Sequence, residues 1–194
     1  YTDFPLLVRL KKQGDHFVPE RFVRTSDFPN ALGETNNTDW KTVAYDETSG
    51  KIVCPTGSIG FRWGEHGKWN LEEKTGSGEE TALRLSVADI ADEKLGVGFP
   101  YFGGRATEHF HRTEHDDILV RNVPVKKLSL ADGETYVATV YDLFLANYGV
   151  DRGFGGQNVA TSYDDDVPFT PAWAERVTGV RRQDIILTAR EFAS

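Results

Sequence analysis

The chain has 194 residues, a formal net charge of −8 and a pI near 5.1. At 39% hydrophobic and 12% aromatic residues it is too apolar for a disordered chain, and its acidic balance excludes a broad nucleic-acid surface, which needs clustered Lys and Arg. One cysteine, Cys54, excludes an intrachain disulfide and a metal site built mainly of thiolates.

Taken in order, the apolar and β-branched stretches 6–10 and 17–23 flank Lys11-Lys12-Gln13-Gly14-Asp15 and predict a hairpin. Residues 26–32 predict a helical turn ended by Gly33 and a polar loop. A second hairpin is expected from 40–45 and 51–54 across Glu47-Thr48-Ser49-Gly50, stopped by Pro55. From 56 to 78 the glycines come too often for regular structure, and a long loop of that kind in a compact domain usually has a function. Residues 81–87 alternate as a half-buried strand. No apolar run reaches the ~18 to 20 residues of a membrane span; the uncharged stretch 95–104 holds four glycines and a proline. A third hairpin joins 118–130 with 136–140 across Ala131-Asp132-Gly133-Glu134.

Beyond Val140 the period changes. Tyr141, Leu143, Phe144, Leu145 and Tyr148 predict a short buried helix closed by Gly149. Thr170-Pro171 combines a hydroxyl N-cap with proline at the first helical position and predicts a helix over 172–178 that stops at Gly179. A last helix carries Ile185, Ile186, Ala189 and Phe192 on one stripe. The expected fold class is α+β: antiparallel β-hairpins and long Gly-rich loops over 1–140, then C-terminal helices over 141–194. The absent methionine and the helical pattern running into Ser194 read as a single interior segment of something longer. In that case Phe99, Tyr101, Phe102 and Phe192 should lack their native partners.

No complete active site is legible. Gly153-Phe154-Gly155-Gly156-Gln157-Asn158 follows a dinucleotide fingerprint for three positions, but Asn158 stands where the third glycine belongs, and a helix precedes it instead of a strand. His109, His111 and His115 lie beside Glu108, Glu114, Asp116 and Asp117; on a strand the first two share a face and could meet one metal, although a solvated polar loop is the plainer reading. Asp164-Asp165-Asp166 lacks the spaced oxygens of a calcium loop. Asn36-Asn37-Thr38 is a chance-level glycosylation sequon. Ser58 lacks the flanks of a nucleophile elbow. Two alternatives remain: a ligand- or carbohydrate-binding β module using Trp63 and Trp69 with Arg62, Glu65 and Lys68, and a helix-turn-helix at 171–194 led by Arg181-Arg182.

Several motifs together resemble the large catalytic (alpha) subunit of respiratory nitrate reductase, a molybdopterin oxidoreductase. They are Tyr1-Thr2-Asp3-Phe4-Pro5-Leu6-Leu7-Val8, Gly57-Ser58-Ile59-Gly60-Phe61-Arg62-Trp63-Gly64, Gly67-Lys68-Trp69-Asn70-Leu71 and Val97-Gly98-Phe99-Pro100-Tyr101-Phe102-Gly103-Gly104. Further along come Thr139-Val140-Tyr141-Asp142-Leu143, Leu145-Ala146-Asn147-Tyr148-Gly149, Ala160-Thr161-Ser162-Tyr163-Asp164-Asp165 and Thr170-Pro171-Ala172-Trp173-Ala174-Glu175.

The resemblance implies reduction of nitrate to nitrite at molybdenum held by two molybdopterin guanine dinucleotides, with a [4Fe-4S] cluster nearby. It implies an iron–sulfur beta subunit and a membrane haem-containing gamma subunit that oxidises quinol, with the active site on the cytoplasmic face. The family's cluster and molybdenum ligands belong to motifs that do not occur here, and Cys54 in Ile52-Val53-Cys54-Pro55 matches none of them. The resemblance therefore places no catalytic or metal residue in this segment, and an isolated piece is expected to be inactive and without cofactor. The loops at Gly153–Gly156 and Arg62-Trp63 are the candidates for lining the cofactor or its access funnel.

Overall fold

The computed structural model describes residues 3–55, 73–101 and 117–193. Its strands are β1 (Leu7–Gln13), β2 (His16–Phe22), β3 (Ala44–Tyr45), β4 (Ile52–Val53), β5 (Glu73–Lys74), β6 (Glu80–Thr81), β7 (Glu93–Tyr101), β8 (Asp117–Leu130) and β9 (Gly133–Thr139). The helices are α1 (Val140–Asn147), α2 (Pro171–Thr178) and α3 (Arg182–Ala193). The fold class is α+β, as expected. The five longest strands hydrogen-bond in the order β1-β2-β7-β8-β9 and the sheet closes on itself, while β3-β4 and β5-β6 are two-stranded.

Two compact units interleave along the chain: Tyr1–Lys94 with Pro124–Leu143, and Leu95–Val123 with Phe144–Ser194. In the first, Leu7, Val23, Val43, Tyr45, Val87 and Val137 form a buried core. The antiparallel register sets it, with Leu7 opposite Thr139 and Lys12 opposite Phe17. Asp142 is buried among them. Its carboxylate accepts from Ser86 Oγ at 2.6 Å, Val87 N at 2.9 Å and Thr139 Oγ1 at 2.8 Å. Thr139 returns the favour by capping α1, its Oγ1 accepting from Asp142 N at 3.1 Å.

The three expected hairpins form, each with its turn in the expected segment. The first turn is shorter than expected because Lys11 and Lys12 continue the ladder opposite Val18 and Phe17. The third pairs Leu130 with Gly133, leaving only Ala131-Asp132 between the strands. The turn at 26–32 is two short 3-10 segments, Thr25–Asp27 and Pro29–Gly33, with Asn30, Ala31 and Leu32 in left-handed backbone.

Two expectations need correction. Residues 81–87 do not form a strand beyond Thr81: main-chain pairing with 45–47 continues only as an isolated bridge, Leu83 opposite Asp46 with Arg84 N donating to Tyr45 O at 2.8 Å, while Ala82 N donates to Asp46 Oδ1 at 2.8 Å and Val87 N to Asp142. Conversely, the glycine-bearing stretch after Asp92 is β7. A Cβ at Gly96 would sit 2.9 Å from Val120 Cγ1, so the glycine is what lets the backbones approach. Phe99 is consequently buried at 5% exposure and Tyr101 is half-buried, against the expectation that both lack partners; Phe192 is 94% exposed, and Phe102 lies outside the described residues.

Candidate functional site

In the second unit one buried arginine organises everything around it. Leu119, Arg121 and Val123 share a face of β8, and Arg121 is 1% exposed. Its guanidinium donates only to main-chain carbonyls. Nε reaches Gln157 O at 2.9 Å, Nη1 reaches Ala146 O at 3.0 Å and Asn147 O at 2.8 Å, and Nη2 reaches Asn158 O at 3.0 Å and Pro168 O at 3.2 Å. All five N–H donors are used, and no carboxylate pairs with the group among the described residues. Burial pushes its pKa down from the ordinary arginine value. The charge stays because arginine is effectively always protonated, and five carbonyl dipoles compensate its burial.

Those carbonyls belong to the end of α1, the glycine-rich loop and the approach to α2. Arg121 therefore ties three segments together. The loop docks on β8 like a short strand: Gln157 N donates to Val120 O at 2.8 Å, Asn122 N to Gly155 O at 3.1 Å, and Asn122 Nδ2 to Phe154 O at 2.9 Å. Gly156 has φ +129°, and a Cβ there would meet Arg121 Cα at 2.6 Å. The Arg152 guanidinium stacks 5.0 Å over the Phe154 ring.

Beside this clamp opens a cleft of about 680 Å3, lined by residues 148–151, 160–163 and 169–171. Tyr148 and Phe169, edge to face with centroids 5.9 Å apart, line it, and Phe169 is backed by Trp173 at 5.4 Å. Thr170, also in the lining, is the N-cap of α2, accepting from Trp173 N at 3.1 Å. Asp151 stands on the rim, where its Oδ1 accepts from Gly153 N at 2.9 Å.

The glycine loop and Asp164-Asp165-Asp166 are the only sequence candidates that this unit brings near the cleft among the described residues. The acidic run has protein partners throughout. Asp164 pairs with Arg182 at 2.8 Å and Asp166 with Arg176 at 2.9 Å. Asp165 accepts from the amides of Thr161 and Ser162 and from Thr161 Oγ1, which hold its pKa below the usual carboxylate range. Arg182 also reaches Glu175 at 2.6 Å, and Arg181 pairs with Asp184 at 2.9 Å. Arg176, Arg181 and Arg182, the cations of the helix-turn-helix reading outside the last turn of α3, are thus each engaged by a carboxylate.

Arg62, Trp63, Glu65, Lys68 and Trp69 lie outside the described residues, as do Ser58, His109, His111, His115, Glu108, Glu114 and Asp116 and the side chain of Asp117. Cys54 is half-buried, and burial pushes its thiol pKa up. Among the described residues no group of three His, Cys, Asp or Glu could hold a metal ion. Arg121 was not a sequence candidate; the signal that marks it is its place between Leu119 and Val123 on an apolar face.

No protein-family model matches the chain. Curated relatives do. The chain is 56% identical over 195 residues to respiratory nitrate reductase 1 alpha chain of Escherichia coli (strain K12) and 53% identical to respiratory nitrate reductase 2 alpha chain of the same organism. It is 42% identical over 196 residues to nitrate reductase alpha chain of Bacillus subtilis (strain 168). Each alignment takes in 100% of this chain but only 15–16% of the relative's length. Identity of that degree along its whole length places this chain in the nitrate reductase alpha-chain family, as a segment covering about one sixth of such a protein.

Proposed function

We propose that the chain is one structural segment of an alpha subunit that reduces nitrate to nitrite. On this reading the whole subunit holds a molybdenum–bis(molybdopterin guanine dinucleotide) centre and a [4Fe-4S] cluster, and receives electrons from quinol through an iron–sulfur beta subunit and a membrane haem-containing gamma subunit. Its face of the membrane is the cytoplasmic one. The carrying observation is 42–56% identity along the entire chain to nitrate reductase alpha chains.

The described residues offer no group of three His, Cys, Asp or Glu that could hold a metal ion, and their one thiol, Cys54, has a raised pKa that disfavours the thiolate a metal needs. No catalytic step is assigned to them. Their part is positional: Arg121 fixes the glycine loop against β8. No helix among the described residues is long and apolar enough to cross a membrane.

A chimera tests the reading. The corresponding segment of the Escherichia coli alpha chain is exchanged for these 194 residues, and molybdenum content and nitrate reduction by a viologen donor are measured. Normal metal content with preserved turnover is expected. A chimera that assembles and loads molybdenum but leaves nitrate unreduced overturns it.

A further inference from the structure

The cleft beside the Arg121 clamp collects exposed apolar side chains. Tyr148 is 49% exposed, Val150 46% and Tyr163 58%, and all three line it; Phe144, at 44%, stacks on Tyr148 with centroids 4.9 Å apart. Tyrosines gathered around a concavity are the usual composition of a binding surface, and a cleft of about 680 Å3 takes one or two side chains of a partner. Among the described residues that line it, Asp151 is the only formally charged side chain. Tyrosine faces attract cations as well.

We propose that this cleft is the docking site for another segment of the same alpha chain, one that seats an apolar side chain on Tyr148, Val150 and Tyr163 and sets a Lys or Arg beside Asp151. Length points to the occupant: the relatives are roughly six times longer than this chain, so about five sixths of such a protein lies outside the 194 residues and is available to cover the cleft. The inference rests on family membership and is independent of nitrate reduction.

The test uses the full-length alpha chain in its assembled enzyme. Hydroxyl-radical oxidation of the unsubstituted protein is read at Tyr148 and Tyr163 against the denatured chain; loss of oxidation at both is expected. A photo-crosslinking residue in the substitution Tyr163→p-benzoylphenylalanine should then join to an alpha-chain peptide from outside this segment that carries Lys or Arg. Asp151→Asn keeps the acceptor for Gly153 but removes the charge, and should lower the crosslink yield about threefold, the scale of one exposed ion pair. Free oxidation of both tyrosines, or crosslinks to the beta subunit, the gamma subunit or a second alpha chain, overturns the proposal while leaving the nitrate reductase reading intact.

Discussion

The guanidinium of Arg121 donates to the carbonyl of Asn147 at 2.8 Å, so the last turn of α1 is closed by a side chain from a strand 26 residues earlier. A helix end leaves orphan carbonyls that something must satisfy. Here a charged group does so from inside the fold.

Arg121→Lys should therefore be costly despite keeping the charge. Lysine has three donors on a flexible stem and cannot span five carbonyls fixed around a planar fork. We expect a loss of about 2–5 kcal/mol, the range for leaving buried polar groups unpaired. Equilibrium denaturation of the chain measures it, and a midpoint within error of the unsubstituted protein would contradict the clamp.

The glycine loop offers a paired comparison. Gly156→Ala puts a Cβ against the Arg121 backbone at φ +129°, whereas Gly155→Ala, at φ +75°, meets nothing closer than 3.7 Å. The first should cost about 2 kcal/mol or more from strain and clash together, and the second only the left-handed backbone strain of about 1 kcal/mol. Limited proteolysis across 151–158 should accelerate markedly for Gly156→Ala alone. Equal rates for the two variants would mean that the loop does not dock on β8.

Acid sensitivity should trace in part to Asp46. Ser49 donates to its carboxylate through Oγ at 2.6 Å and N at 2.8 Å, Ala82 N adds a third bond, and its pKa lies below the ordinary value. A depressed folded-state pKa stabilises the fold above the unfolded value of about 3.9, and that stabilisation is lost as pH falls through the folded value. Asp46→Asn should thus be less stable at neutral pH and lose less on acidification below pH ~4. Parallel stability–pH curves for the two proteins would rule out this contribution.

The α2–α3 pair should not bind DNA. Arg176, Arg181 and Arg182 are each paired with a carboxylate within 2.6–2.9 Å that competes with phosphates, and the chain's net charge of −8 opposes DNA binding. Fluorescence anisotropy with duplex DNA at ~150 mM salt should show nothing tighter than the ~10⁻⁴ to 10⁻⁶ M of non-specific contacts. Nanomolar, steeply salt-dependent binding weakened by Arg182→Ala would revive the helix-turn-helix reading.

Local chemistry was readable in the sequence because it acts within a few residues. Thr170 and Pro171 start α2 and Gly179 ends it in left-handed backbone, since capping needs only neighbouring groups. The turn residues placed all three hairpins, and the family motifs, which are linear, identified the chain. What tertiary structure decided was every contact whose partners are far apart in the chain. β7 was hidden because Gly96 and Gly98 lower strand propensity, and the closeness of Val120 that demands Gly96 cannot be read locally. The strand expected at 81–87 shrank to an isolated bridge with Asp46, and the amides of Ala82 and Val87 went to the carboxylates of Asp46 and Asp142, 36 and 55 residues away. Arg121 looked like one more charged strand residue; only folding brings carbonyls from 146, 147, 157, 158 and 168 around it. A sequence records where a donor is, but the acceptors that let a charge be buried are set by how the backbone returns to meet it.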